Sequence, residues 1–285
     1  MPELPEVEIL VRHLAPLLKR KSIRAVRVHR VRVIAPTTTR KLQQVLTGAK
    51  FIGLVRRGKY LVFSLQPRAR RSPLTLLGHL GMTGRMYVQP ANLPLPKHTA
   101  VSLGLGRRRL IYEDQRYFGR FTLDASSLDL LGPEPLGPDF TADYLAHALK
   151  RSTQPIKVKL LDQTLVAGIG NIYASEALFR ARISPRRPAR KLNLEQIRRL
   201  RRAIRAVLGE AIRCGSTIPL NFSGNGGSSD GLFYFGRAEG TADYYEERLR
   251  VYDRAGQPCA RCRAPIKRVI QAARSTFYCA RCQDK

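Results

Sequence analysis

Cys259-Ala260-Arg261-Cys262, sixteen intervening residues, then Cys279-Ala280-Arg281-Cys282: this spacing decides how the C-terminal tail folds. Two Cys-x2-Cys knuckles at such a separation give four thiolates that close tetrahedrally on one Zn2+. Four protein ligands leave no open position, so the expected zinc is structural and cannot activate water. Between the knuckles, residues 266–278 read as a β-hairpin too small for a core of its own, which makes its folding depend on the metal. Disulfide pairing is the competing reading. It is disfavoured because the first twenty residues carry Glu3, Glu6, Glu8 and Arg12, unlike a secretory signal. The chain is therefore expected to stay in the cytoplasm, in reducing conditions. Cys214, the fifth cysteine, reads as a small buried residue.

Charge sets the partner. Lys and Arg number 51 against 21 Asp and Glu, a net +30 over 285 residues. An excess of that size fits a polyanion, with nucleic acid the first candidate. No apolar run is long enough to span a bilayer, so no membrane partner is expected. With 44% hydrophobic residues the chain can bury the cores of two or three domains.

At the other end stands Met1-Pro2-Glu3-Leu4-Pro5-Glu6-Val7-Glu8. Trimming of Met1 would leave Pro2 as a secondary amine whose pKa, ~7.7–8 for an α-amino group, keeps a usable fraction unprotonated. Such an amine can attack an aldehyde-like carbon to give an iminium, and Glu3 beside it can donate or accept a proton. An ordinary helix start, with Pro5 in the first turn and acids favourable there, explains the same residues equally well. From Val7 the apolar residues Leu10, Val11, Leu14, Leu17 and Leu18 recur at helical spacing, with Pro16 bending or ending the last turn. After Ser22 the texture turns to β-branched alternation with frequent glycine turns, which predicts antiparallel strands through about Leu123 in a sandwich or flattened barrel.

Leu131-Gly132-Pro133-Glu134-Pro135-Leu136-Gly137-Pro138 is the clearest boundary, a stiff linker. Helices follow: one capped by Thr141 or Asp139 and running through Leu149, one from about Ile156 through Val166, and one opened by Asn171 as N-cap. The exposed amides of that last start suit a phosphate, although a plain helical hairpin explains the turn as well. Asn193 opens a further helix whose outer face holds Arg198, Arg199, Arg201, Arg202 and Arg205, as either a DNA contact or a solvated face, and Gly215 ends it. The expected division is 1–130 for the sandwich, 131–140 for the linker, 141–216 for the helical domain, 217–250 for an extended loop region and 251–285 for the zinc ribbon.

Taken together, the octapeptide, Gly168-Ile169-Gly170-Asn171 and the zinc tail resemble the formamidopyrimidine-DNA glycosylase family. The resemblance implies an α+β multidomain fold: a β-sandwich with flanking helices, a helix–two-turn–helix domain and a zinc-ribbon hairpin. It implies a monomer acting on duplex DNA with damaged bases or abasic sites, needing one structural Zn2+ and no catalytic metal. The implied activity is excision of oxidised purines (8-oxoguanine, formamidopyrimidines) through a Schiff base on Pro2, then β,δ-elimination. By the same resemblance Glu3, Lys59 and Arg274 assist catalysis. Met82, Arg116 and Phe118 fill the gap left by an extruded base, although core packing is the ordinary reading of Met82 and Phe118. His98, Arg151, Lys157 and Asn171 contact DNA. The region after Gly215-Ser216-Thr217 looks longer than in the family, which bears on lesion preference. An endonuclease VIII-type enzyme for oxidised pyrimidines and a non-catalytic zinc-ribbon DNA-binding protein are the alternatives. Leu4 and the Met82/Arg116/Phe118 set count against the first, and the second leaves Pro2-Glu3 unexplained.

Overall fold

A computed structural model describes residues 2–68, 72–214 and 249–283. The described residues divide into two compact units. The first holds Pro2 and Glu6–Asp129; the second holds Glu3–Pro5, residues 130–214 and residues 249–283.

In the first unit, helix α1 (Leu4–Leu18) buries Val7, Leu10, Val11, Leu14 and Leu18 of the stripe read from the sequence and leaves Leu17 half-buried. Pro16 does not end it; the helix runs two residues further. Eight strands follow: β1 (Ala25–Val28), β2 (Lys50–Arg57), β3 (Tyr60–Gln66), β4 (Leu74–His79), β5 (Gly84–Pro90), β6 (Thr99–Gly104), β7 (Arg108–Asp114) and β8 (Arg120–Thr122). They form two antiparallel four-stranded sheets, β1-β6-β7-β5 and β2-β3-β4-β8. Phe51, Phe63 and Phe121 of one sheet and Tyr112 of the other share one core. The Tyr112–Phe121 stack, with centroids 5.8 Å apart, joins the two sheets. Such pairs contribute ~0.5–1.5 kcal/mol beyond area burial. Strand patterning did not reveal the 3-10 turn Val31–Ile34 or α2 (Thr39–Leu46) between β1 and β2. Thr38 caps α2, its Oγ1 accepting from Lys41 N–H at 3.2 Å, and the pair Leu42 and Leu46 is buried. Eight residues are too few for a helical period to stand out against the surrounding alternation.

The second unit is built on α3 (Ala142–Leu149), α4 (Ile156–Leu160), α5 (Asn171–Arg180), α6 (Leu194–Cys214) and the hairpin β9 (Lys267–Gln271)–β10 (Arg274–Tyr278). Thr141, not Asp139, caps α3 by accepting from Tyr144 N–H at 3.0 Å. The helix expected from Ile156 through Val166 stops at Leu160, because Asp162 Oδ1 accepts from both the N–H and the hydroxyl of Thr164 and turns the chain. Asn193 and Gln196 form a reciprocal capping box at the start of α6, as the Asn193 reading required. Gly215, expected to end α6, lies outside the described residues, as does the long loop that follows.

The arginines of α6 are not simply a solvated face. Arg205 Nη1 donates to the carbonyls of Pro135 and Gly137, both at 3.0 Å, and Arg201 donates to the Phe140 carbonyl. Arg199 donates to the Ala181 carbonyl at 2.6 Å. The proline-rich stretch is therefore strapped to the helical unit, and only Arg198 and Arg202 of the five are exposed.

Candidate active site and DNA interface

The turn before α5 receives its cap from far upstream. Glu3 is buried, and its carboxylate accepts the N–H groups of Gly170 at 2.8 Å, Ile172 at 2.9 Å and Tyr173 at 3.3 Å. A carboxylate is a favourable occupant of a helix N-terminus, where amides lack intrahelical partners. Asn171 was expected as the N-cap; it is instead the first helical residue, and Gly170 stands at the cap without a side-chain bond. Glycine is needed there because a Cβ on Gly170 would fall 2.3 Å from the Glu3 carboxyl carbon. Gly168, at φ +88°, lies against Leu4, whose N–H donates to the Gly168 carbonyl at 3.0 Å.

Asn171, relieved of capping, turns to the hairpin. Its Nδ2 donates to the Ser275 carbonyl at 2.9 Å, and its Oδ1 accepts from Lys157 Nζ at 2.5 Å. Lys157 is buried and also donates to the Ser275 carbonyl at 3.0 Å and to Thr276 Oγ1 at 2.7 Å. Burial lowers its ammonium to about 8, with Arg274 pushing the same way and Glu3 opposing. The sequence-predicted residues Glu3, Lys157, Asn171 and Arg274 thus form one neighbourhood. Arg274 is exposed at the start of β10, just past a two-residue turn in which Ala272 and Ala273 adopt φ +46° and +58°. Arg151 is different: it lies exposed on the turn after α3, with no ion pair or side-chain hydrogen bond among the described residues.

In the first unit Pro2 is buried, and so is Lys59, on the two-residue turn between β2 and β3 opened by Gly58 at φ +57°. His79 ends β4, packs at a 44° tilt against Tyr60 with ring centroids 4.8 Å apart, and accepts Gly81 N–H on Nδ1 at 3.1 Å. Burial, then the charges of Lys59 and Arg120, hold its imidazole down to about 4, so it is neutral near pH 7. The Met82/Arg116/Phe118 set is brought together. Arg116 Nη1 is 3.2 Å from Met82 Sδ, and its guanidinium lies 4.8 Å from the Phe118 ring centroid. Met82 and Phe118 are 47% and 44% exposed, so the core reading of both fails. The segment 115–118 is not extended, since Tyr117 sits at φ +53°. Buried Asp114 shapes the loop by accepting from Thr83 Oγ1 and from the N–H groups of Arg116 and Gly119. His98 lies beside it, its carbonyl accepting Asp114 N–H at 3.0 Å.

Sequence reasoning passed over four residues. Arg32 covers the Phe118 ring at 5.4 Å from the 3-10 turn it did not foresee. Glu6 is buried, although the sequence assigns it only the part of a favourable acid in the first helical turn. Nothing in the sequence marked His79. Buried Glu176 accepts the N–H groups of Arg250, Val251 and Tyr252 at 2.8–2.9 Å and so anchors the chain entering the hairpin. Desolvation raises its carboxyl, opposed by those three amides. A lone Glu within Ala-Ser-Glu-Ala gave no signal for this.

The four tail cysteines fit one metal. Their Sγ atoms lie within 4.8 Å of one another, with Cys259–Cys282 at 3.9 Å and Cys262–Cys279 at 3.5 Å. Tetrahedral Zn–S bonds of ~2.3 Å place sulfurs about 3.8 Å apart. These residues hold one structural Zn2+ and leave no ligand position for chemistry.

A sandwich bearing the exposed Met82/Arg116/Phe118 loop, a helical domain whose α5 is capped by a carboxylate and a hairpin closed by four thiolates fit one class, the zinc-ribbon DNA glycosylases. The comparisons give the family. Residues 1–121 match the formamidopyrimidine-DNA glycosylase N-terminal domain, 131–221 its H2TH domain, and 256–285 the zinc finger found in FPG and IleRS. A formamidopyrimidine-DNA glycosylase of Novosphingobium aromaticivorans is 42% identical over 291 residues, covering 99% of this chain and all of that one. The Lactococcus lactis Fpg mutant G226P, solved with Fapy-dG-containing DNA, superposes with TM-score 0.86 at 32% identity, covering all of both chains. A complex of the Lactococcus protein with abasic-site DNA gives 0.87 at 32%, covering 99% of this chain and all of that one. The chain belongs to the formamidopyrimidine-DNA glycosylase family.

Proposed function

We propose that the chain excises oxidised purines, 8-oxoguanine and formamidopyrimidines, from duplex DNA with Pro2 as nucleophile, and then cuts the abasic site on both sides. It is a base-excision repair glycosylase with abasic-site lyase activity. The observation that carries the residue-level reading is Glu3: three backbone amides at the start of α5 hold the residue next to Pro2. That fixes the amine's neighbour within a rigid element, as a positioned nucleophile requires.

The Pro2 nitrogen lone pair attacks C1′ of the damaged nucleotide, and Glu3 delivers a proton to the ring oxygen. The glycosidic bond breaks, its electron pair leaving with the base, and an iminium joins Pro2 to the opened sugar. Loss of a C2′ proton expels the 3′ phosphate; a second elimination expels the 5′ phosphate. Lys59 and Arg274 assist these departures, Asn171 grips the neighbouring phosphate, and His98 and Arg151 bind the backbone. Lys157, expected to contact DNA, is instead buried and donates to Asn171, Ser275 and Thr276, which positions Asn171. Met82, Arg116 and Phe118 occupy the vacated stack. Zinc supplies only folding energy to the hairpin that carries Arg274.

Excision from matched duplexes carrying 8-oxoguanine or thymine glycol, with borohydride added to capture the iminium, tests this. Faster release and trapping with the oxidised purine support the assignment; preference for thymine glycol would assign the chain to oxidised pyrimidines.

A further inference from the structure

We propose that the end of the β1-β6-β7-β5 sheet carrying Lys21, Arg24, Arg107 and Arg108 is a second DNA-binding surface that engages a duplex other than the one under repair. The inference rests on DNA being the partner of this chain. Lys21 lies just past α1, and Arg24 precedes β1, its N–H donating to the Gly104 carbonyl at 2.7 Å. Arg107 and Arg108 stand on the β6–β7 turn, closed by Leu105 N–H to the Arg108 carbonyl at 2.8 Å, with Gly106 at φ +96°. The Arg24 guanidinium packs across that glycine, 3.5 Å from where a Cβ would stand.

All four cations are exposed, and they line one open groove of about 720 Å3. None makes an ion pair or a side-chain hydrogen bond among the described residues. The only acids in the four strands, Glu113 and Asp114, sit at the opposite end of β7 and are engaged by Tyr87 and Thr83. Like charges gathered without counter-charges raise the free energy of the free protein slightly. A polyanion relieves that, and it gains from counterion release as it binds.

The surroundings choose among polyanions. No large exposed hydrophobic side chain lies in this patch, so it lacks the apolar face that membrane-surface binding uses. No aromatic residue lines the groove, so single strands have no platform on which to stack bases. Bare guanidinium and ammonium groups on a rigid sheet end suit the phosphate backbone of a duplex.

The patch is separate from the void-filling loop. In the β5–β7 register Gly84 faces Asp114 and Pro90 faces Arg108. Those seven residues, six steps apart end to end, span about 20 Å of strand, and Met82 and Arg116 lie beyond the Asp114 end. One chain could then hold a lesion-bearing duplex at one end of the sheet and an undamaged segment at the other, and pass between segments without full release.

The test uses full-length, zinc-loaded protein and two short duplexes with donor and acceptor dyes, one containing a stable abasic analogue. Wild type should bring the dyes together, with a salt slope for capture of the second duplex of about 3–4 for four contacts. Changing Lys21, Arg24, Arg107 and Arg108 together to Gln should cut capture at least tenfold. Excision from a short lesion duplex, read separately on the same preparation, should stay within about twofold, and it alone reports on the proposed function. Equal capture by both proteins would overturn the inference. So would excision falling in step with capture, which would place the patch on the lesion duplex itself, or single-stranded RNA displacing the second duplex better than duplex DNA does.

Discussion

Glu3 serves two ends with one carboxyl. It stands next to Pro2, the proposed nucleophile, and it caps α5 through three amides. The substitution that tests proton delivery, Glu3→Gln, therefore also places an amide NH2 against backbone N–H donors. Loss of the proton should lower excision of the damaged base by ~10²–10⁴, and loss of the cap should cost ~1 kcal/mol. The two effects separate on a preformed abasic site, where the open aldehyde needs no proton at the ring. Glu3→Gln should still form the borohydride-trapped adduct there, with its melting temperature lowered by a few degrees. Equal loss on both substrates would show that the cap, not the proton, is what matters.

His79 offers a pH test at the same scale. Its folded pKa, about 4, lies below the unfolded value of ~6.5. Between those values the unfolded chain binds more protons, so stability rises with pH. The contribution is fully present above ~6.5 and lost as pH falls through about 4. His79→Asn keeps an acceptor for Gly81 N–H but does not titrate. The melting-temperature advantage of wild type over this variant should therefore shrink from pH 7 to pH 4.5. A constant difference would mean the imidazole is not held neutral by its surroundings.

Among elements, the loop proposed to fill the void is hydrogen-bonded at its root and exposed at its tip. Asp114 fixes the root with bonds to Thr83, Arg116 and Gly119, while the guanidinium groups of Arg116 and Arg32 both lie over the Phe118 ring. Phe118→Ala should slow base excision from duplex DNA far more than cleavage of abasic single strands, because only the duplex leaves a gap to fill. Matched losses on the two substrates would make Phe118 a packing residue. The hairpin depends on its metal instead. Cys279→Ser, or a strong chelator, should unfold the tail and abolish tight lesion binding while the sandwich melts as before; wild type should contain one zinc per chain by metal analysis. Zinc-free protein with full affinity would contradict the structural role.

How far these elements could be read in advance follows from the range of their signals. The cysteine spacing and the stripe from Val7 to Leu18 are local, and both appear where expected. The cap on α5 was misassigned to Asn171 because its true partner, Glu3, lies 167 residues away. The α6 arginines could be read only as a DNA contact or a solvated face, because the carbonyls they bind, Pro135, Gly137 and Phe140, belong to another segment. The Met82/Arg116/Phe118 set was legible only through family resemblance, since no pattern tells an exposed Phe from a buried one. Glu176 was missed for a related reason: the amides that occupy it come from backbone, which carries no residue-type signature.

For the whole molecule, the +30 charge explains affinity for DNA without explaining chemistry. A zinc-ribbon binder would share that charge and the four cysteines. Among the described residues no helix is long and apolar enough to cross a membrane. What separates an enzyme from a binder is the amine at the start of the chain. The most direct measurement compares borohydride trapping on abasic duplex DNA by protein with a free Pro2 and by protein carrying one extra residue ahead of it. A free N-terminus should give a covalent complex whose cross-linked peptide begins at Pro2, and the extended protein should bind the same DNA with nearly unchanged affinity yet give none. An undiminished adduct from the extended protein would show that another amine, such as Lys59, forms the Schiff base.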